Sequence, residues 1–306
     1  MRPLFFIFPA IMIAMLAKTV DSNTSRMPEA KEPRPVFSFG IFTDAHYCDA
    51  DPQESRFYRL SEGKLREALE LFRSDSVKFV VNLGDIIDHG FSSYRKVLEI
   101  IDSSGLKVYH ITGNHDYSVD NEQKSHLPLP QPSTDGYYSF IIDHFRIIAL
   151  NGNELSTYAT ADRAKINEAN NYISELRAAG SQNAIDWNGG ISLKQMNWLK
   201  SQLDEAVAGK EKVIILCHFP VYPEDKHNLL NYREVIAIIS NYHNIIAYFA
   251  GHNHAGNYGN FNLIHFVTLK GMVETENMNS YAQVDVYPNR IWIKGYGREK
   301  SQILAY

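Results

Sequence analysis

From residue 35 onward, short apolar runs alternate with stretches in which apolar positions recur at helical spacing. The run "PVFSFGIFT" reads as a buried strand bounded by polar residues. In "KLREALELF", Leu65, Ala68, Leu69 and Phe72 share one face, which predicts an amphipathic helix. "KFVVNL" is a second strand, "YRKVLEIIDSS" a helix stopped by Gly105, and "LKVYHIT" a third strand. "YYSFIID" and "FRIIALN" follow closely enough to predict an antiparallel hairpin.

The second half keeps the rhythm. Residues 161–179 form a polar helical stretch. "SLKQMNWLKSQL" opens with Ser192 and Gln195 spaced as a capping box and turns Met196, Leu199 and Leu203 inward. Then come a strand at "EKVIILC", a helix at "REVIAIIS" and a strand at "NIIAYFA", and the tail reads as strands at "NLIHFVTL", "YAQVDVY" and "RIWIKGYG". With no internal repeat and no break after Pro35, residues 35–306 are expected to form one α/β domain. The connection over residues 117–136 holds three prolines and is expected to be a covering or functional loop.

Composition changes this picture little, except at the N-terminus. A hydrophobic content of 44% and a charged content of 21% are ordinary for a globular chain with a sizeable core. A net charge of -5 without a basic run argues against a nucleic-acid duplex as partner. "MRPLFFIFPAIMIAMLA" carries one arginine and an apolar stretch over residues 4–17, too short for a membrane span and suited to a signal-peptide core. Residues 1–22 are therefore expected to direct export, to a periplasm or the outside, leaving no stable membrane span after cleavage. Residues 23–34 read as a polar linker. A bridge between Cys48 and Cys217, the two cysteines present, is allowed but not required in an exported domain.

The chemistry sits at the predicted strand ends. Asp44 and His46 end the first strand, Asp85 the second, and Asn114, His115 and Asp116 the third. His218 ends a later strand, and His252 and His254 end "NIIAYFA". Ligands of α/β sheets collect at carboxyl ends of strands. Within each of the pairs 44/46 and 252/254, strand alternation would place both side chains on one side, so each pair could converge on one centre. Asp44, His46, Asp85, Asn114, His218, His252 and His254 offer more oxygen and nitrogen donors than one tetrahedral zinc takes. They suit two divalent ions about 3.5–4 Å apart sharing a carboxylate. Without a thiolate, manganese, iron and zinc are all admissible. Among the neighbours, Asp116 is expected to fix its turn, and His110 and His265 to be satisfied core or sheet residues. His227 is expected in a loop that borders the site.

The ordered series D-x-H, G-D-x-x-D, G-N-H-[DE], H and G-H-x-H over residues 38–254 resembles the calcineurin-like metallophosphoesterases. The resemblance implies a four-layer α-β-β-α sandwich of two mixed sheets. It implies one metal on Asp44, His46 and His254 and another on Asn114, His218 and His252, with Asp85 bridging. Two such cations would draw a phosphate in and lower the pKa of a bridging water, so that hydroxide attacks phosphorus in line. His115 would face the leaving group as a general acid or charge stabiliser, oriented by Asp88 through its other ring nitrogen. Asp88 could equally cap its turn, and His115 could be a scaffold residue only.

Longer stretches narrow the substrate. Asp88 stands where purple acid phosphatases carry a ligating tyrosine, and His89 where protein phosphatases carry a phosphate-binding arginine. "WNGGISLKQMNWLKSQL" and "HFPVYPEDKHNLLNYREVIAII" are similar to the manganese-dependent ADP-ribose/CDP-alcohol diphosphatase group. That group carries glutamine in place of His46 and G-N-H-E in place of "GNHD". The resemblance implies two divalent ions, manganese favoured, and a small nucleotide-like phosphorylated partner. A phosphomonoesterase, a cyclic-nucleotide phosphodiesterase and a non-catalytic metal- or phosphate-binding domain are the alternatives. Tyr47, Phe57, Tyr58, Phe219 and Tyr222 lie beside ligands in sequence and could stack a base. Arg56 or Arg59 could hold a second phosphate.

Overall fold

A computed structural model describes residues 33–306, so the expected export signal and most of the expected linker lie outside the described residues. The first half contains β1 (Phe37–Phe42), α1 (Ser61–Ser74), β2 (Phe79–Asn82), α2 (Ser93–Ser104) and β3 (Val108–His110). The hairpin β4 (Tyr138–Ile142) and β5 (Phe145–Ala149) follows, then α3 (Arg163–Ala178), α4 (Leu193–Ala208) and β6 (Lys212–Leu216). The last part contains α5 (Tyr232–Ile239), β7 (Ile245–Ala250), β8 (Asn257–Phe261), β9 (Ile264–Thr268), β10 (Ser280–Val286), β11 (Arg290–Gly297) and β12 (Gln302–Ala305).

The strands form two six-stranded mixed sheets, ordered β12-β11-β10-β1-β2-β3 and β4-β5-β6-β7-β9-β8. Their apolar faces meet in a central layer that includes Phe39, Phe79, Ile147, Ile214, Phe249 and Val284. The expected inward face of α1 packs with Val97, Ile100 and Ile101 of α2 on the outer side of the first sheet. Leu199 and Leu203 of α4 pack with Val235 and Ile239 of α5 on the outer side of the second. Helices thus cover both outer faces, giving the four-layer sandwich. Burying a leucine of this kind fully is worth roughly 1.5–3 kcal/mol. Gly105 caps α2 with a φ of 69°, as its position after the helix predicts.

Two edge strands and one helix cap depart from what the sequence predicts. The edge strands β8 and β12 were not legible, because "NYGNF" has no apolar alternation and an edge strand needs little burial. The capping box is half formed: Ser192 accepts from the Gln195 amide at 3.1 Å, but Glu154 occupies the reciprocal position and accepts from Ser192 N at 2.9 Å. Gln195 turns away and exchanges two bonds with the backbone of Asn151, each at 2.9 Å. Cys48 and Cys217 are both free and lie in separate clusters, so they form no bridge. Among the described residues, no helix is long and apolar enough to cross a membrane.

Candidate metal centre

Within each sheet, the strands that carry candidate ligands run parallel to each other, β1 with β2 and β3, and β6 with β7. Their carboxyl ends deliver two compact donor groups, Asp44, His46 and His254 in one and Asp85, His218 and His252 in the other. The ligand atoms of each group lie within 4.8 Å of one another. Strand alternation is not the cause. β1 ends at Phe42 and β7 at Ala250, so both expected pairs sit in the loops beyond. Asp44, His46, Asp85 and His252 adopt left-handed φ values of 52°, 47°, 53° and 66°. Such backbone is costly for non-glycine residues and clusters at functional sites. It also sends His252 and His254 to different groups, whereas Asp44 and His46 share one.

Asp85 lies between the two groups. Its Oδ2 stands 3.5 Å from His46 Nε2 and 3.2 Å from His218 Nε2. Asp44 Oδ1 stands 3.6 Å from His46 Nε2 and 3.3 Å from His254 Nε2. Each imidazole is fixed from behind. His46 Nδ1 meets Asp88 Oδ1 at 3.0 Å, His218 Nδ1 meets the Leu83 carbonyl at 2.9 Å, and His254 Nδ1 meets Glu274 Oε1 at 2.7 Å. His252 uses its other nitrogen, Nε2, on Asn188 Oδ1 at 2.9 Å. These acceptors leave one nitrogen of every ring for the centre, as metal-binding histidines are ordinarily held.

The donor set fits divalent cations. Asp44 Oδ1, His46 Nε2, Asn114 Oδ1 and His218 Nε2 are buried without a hydrogen-bond partner, and buried polar atoms are otherwise paired almost without exception. Charge points the same way. Burial works to push His46 and His218 down, yet the surrounding carboxylates, Asp44 and Asp88 at His46 and Asp85 at His218, lift both to about 9. Against the opposing effect of burial, His254 and His46 hold Asp44 well below the usual carboxylate range, as His218 and His115 do Asp85. A site that would otherwise gather protons is one that a cation can occupy. The fit leaves no slack, since a Cβ on Gly113 would stand 2.2 Å from Asp85 Oδ1.

His115 lies beside this centre, its ring 4.4 Å from that of His46. Asp88 does face the His115 Nδ1, with the backbone carbonyl nearer than the carboxylate, whose Oδ1 stands 3.4 Å away. The Asp88 carboxylate holds His46, and it is the Asp88 backbone carbonyl that accepts from His115 Nδ1, at 3.0 Å. Asp116 fixes its turn as expected, accepting from the amides of Asp85 at 2.9 Å and Gly113 at 2.8 Å. His110 and His265 are buried at sites away from the donor groups.

A cavity of about 340 Å³ opens over the centre, lined by Asp85, Asn114, His115, His252 and His254 and rimmed by Arg56, Trp187, Lys226 and His227. The expected aromatic clamp is not there. Phe219 is wholly buried in the outer core of the second sheet, Tyr58 is buried against Cys48 and Val273, and Tyr222 packs on Phe261 and Phe266. Tyr47 packs against the core under α1 and α2, and neither it nor Phe57 lines the cavity. Arg56 is at the rim, while Arg59 is turned to Asp49 and Asp51 on the surface. The aromatic side chain at the rim is Trp187, 45% exposed. A larger cleft of about 950 Å³, between α3 and the 117–136 loop, includes none of the donor groups.

A family model described as calcineurin-like phosphoesterase matches residues 37–256. The chain belongs to this family. As a calcineurin-like phosphoesterase it is a metal-dependent hydrolase of phosphoric esters or anhydrides. It is 31% identical over 319 residues to the human manganese-dependent ADP-ribose/CDP-alcohol diphosphatase, covering 89% of this chain and 93% of that one. The Arabidopsis thaliana protein of the same name is 31% identical over 302 residues, covering 88% and 96%. A dimetal phosphatase from Danio rerio superposes with a TM-score of 0.80 at 26% identity, covering 89% of this chain and 99% of that one. A purple acid phosphatase from yellow lupin shares the fold alone, with a TM-score of 0.54 at 12% identity.

Proposed function

We propose that this phosphoesterase hydrolyses the phosphoanhydride bond of nucleoside-diphosphate-linked small molecules, such as ADP-ribose or a CDP-alcohol, with two manganese ions. The position of Asp85 Oδ2 between His46 Nε2 and His218 Nε2 carries the reading, because it is where a carboxylate shared by two cations belongs. Asp44, His46 and His254 would hold one ion, Asn114, His218 and His252 the other, with Asp85 on both. When bound, the ions supply positive charge for the phosphate oxygens and make water a competent nucleophile at neutral pH.

The chain's own groups do the rest. With Nδ1 donating to the Asp88 carbonyl, Nε2 of His115 can donate to the departing oxygen only from the doubly protonated imidazolium, so the ring must take up a proton before the leaving group departs. Arg56 and Lys226 flank the cavity as cations that suit a second phosphate. Trp187 offers an exposed ring for a base, a contact worth roughly 1–3 kcal/mol. The human and Arabidopsis relatives, named for ADP-ribose and CDP-alcohol, support the choice of substrate.

The test is product analysis with manganese on ADP-ribose, CDP-choline and p-nitrophenyl phosphate, with Asp85→Asn as control. Formation of AMP and ribose phosphate from ADP-ribose by the wild type, lost in the variant, is the expected result. Turnover of p-nitrophenyl phosphate alone would replace the diphosphatase reading with a phosphomonoesterase.

A further inference from the structure

Behind the metal centre a buried cation is committed to a single segment. Lys64 of α1 is only 7% exposed. Its Nζ donates to the carbonyl oxygens of Met272 at 2.9 Å, Glu274 at 3.0 Å and Thr275 at 2.6 Å. Those three bonds use every proton of the ammonium. An ordinary helix lysine points to water, so its burial here needs a reason.

The reason lies in what the segment carries. Residues 271–275 run between β9 and β10 and present Glu274 to His254. The amides of Met272 and Val273 donate to Thr43 O and Asp44 O, at 3.0 Å and 2.9 Å, which ties the segment to the loop of the first ligand. At its start, Gly271 lies so near that a Cβ would stand 2.7 Å from the His254 ring. The segment thus touches one donor group twice, through the loop of Asp44 and through His254. The rings of the other group are held from elsewhere, His218 on the Leu83 carbonyl and His252 on Asn188, and the His252 amide ties that group to the loop of Asp44, donating to Asp44 Oδ2 at 3.1 Å.

We infer that Lys64 is a positioning residue, which holds Glu274 on His254 and so sets the cation affinity of the Asp44–His46–His254 group more strongly than that of the other. The inference rests on the two-cation reading above. A carboxylate behind a ligating histidine fixes its tautomer and raises its basicity, and loss of such support costs about 10–100-fold in metal affinity. Lys64 acts one step further out, through the three carbonyls that set where Glu274 stands.

The test is titration of the metal-free protein with Mn²⁺, the free ion being followed by its electron paramagnetic resonance signal. The wild type should take up two equivalents. In Lys64→Met one equivalent should weaken by about 10–100-fold and the other by clearly less. Glu274→Gln should weaken the same equivalent, and the double variant should be no worse than Glu274→Gln alone. Wild-type affinity at both positions in Lys64→Met, even with a lowered melting temperature, overturns the inference, as does equal weakening of both. If Lys64→Met does not fold, Glu274→Gln decides, and unaltered Mn²⁺ uptake there overturns it. A wild type that takes up no Mn²⁺ sinks the two-cation reading and this inference together.

Discussion

His110 shows how one buried ring sets a pH limit on stability. The Gly84 amide donates to Asn82 Oδ1, which fixes the Asn82 side chain and points its amino group at His110 Nδ1, 3.3 Å away. A donor already faces the nitrogen that would take the proton. Burial pushes the His110 pKa from 6.5 down to about 4. Between these values the unfolded chain binds the proton and the folded chain does not, so stability falls as pH falls from 6.5 toward 4. At about 1.4 kcal/mol per pH unit the loss reaches about 3 kcal/mol. Denaturant unfolding across this range should show that slope in the wild type and a flatter one in His110→Gln. Equal slopes would show that other groups set the acid limb. His110 was readable as a core residue because it interrupts an apolar strand. Lys64, Asn188 and Glu274 were not, because their partners lie 208–211, 64 and 20 residues away. The base clamp misled for a local reason. Phe219 follows His218 in sequence, and when His218 faces the centre its neighbour is turned to the outer core.

At the scale of elements, periodicity located the strands and helices of the core, since burial on one or both faces leaves its mark on sequence. β8 and β12 escaped because an edge strand can be exposed and polar, and β8 is exposed along most of its length. The start of α4 shows a subtler gap. Serine followed by glutamine three positions on fits a capping box, yet a glutamate from another loop fills half of it and releases Gln195 to brace Asn151. Two costs should follow in order. Ser192→Ala removes one cap and should cost about 1 kcal/mol. Gln195→Ala leaves a buried N–H and C=O of Asn151 without partners, at roughly 1–3 kcal/mol for each buried group left unpaired. Chemical denaturation of the two variants should therefore rank Gln195→Ala as the more damaging. The reverse order would return Gln195 to a simple capping role.

At the scale of the molecule, the centre joins the two sheets. Asp44, His46, Asp85 and Asn114 come from loops after strands of the first sheet, and His218, His252 and His254 from loops after strands of the second. Each donor group draws on both. Two divalent ions would therefore clasp the sheets at the end where buried carboxylates and unpartnered nitrogens otherwise face each other. Binding confined to the folded chain adds about 2.7 kcal/mol for a site filled at a hundred times its dissociation constant. For a domain of this size, each kcal/mol raises the melting temperature by roughly 2–4 °C. Mn²⁺ added to chelated protein should thus raise the midpoint by several degrees, and excess chelator should reverse it. Asp85→Asn separates the causes, because it removes the shared carboxylate while relieving charge in the empty centre. The variant should melt no lower than the chelated wild type and should respond weakly to Mn²⁺. A wild-type midpoint indifferent to both Mn²⁺ and chelator would mean that the orphaned donors are satisfied without a cation, and the two-cation reading would fall with it.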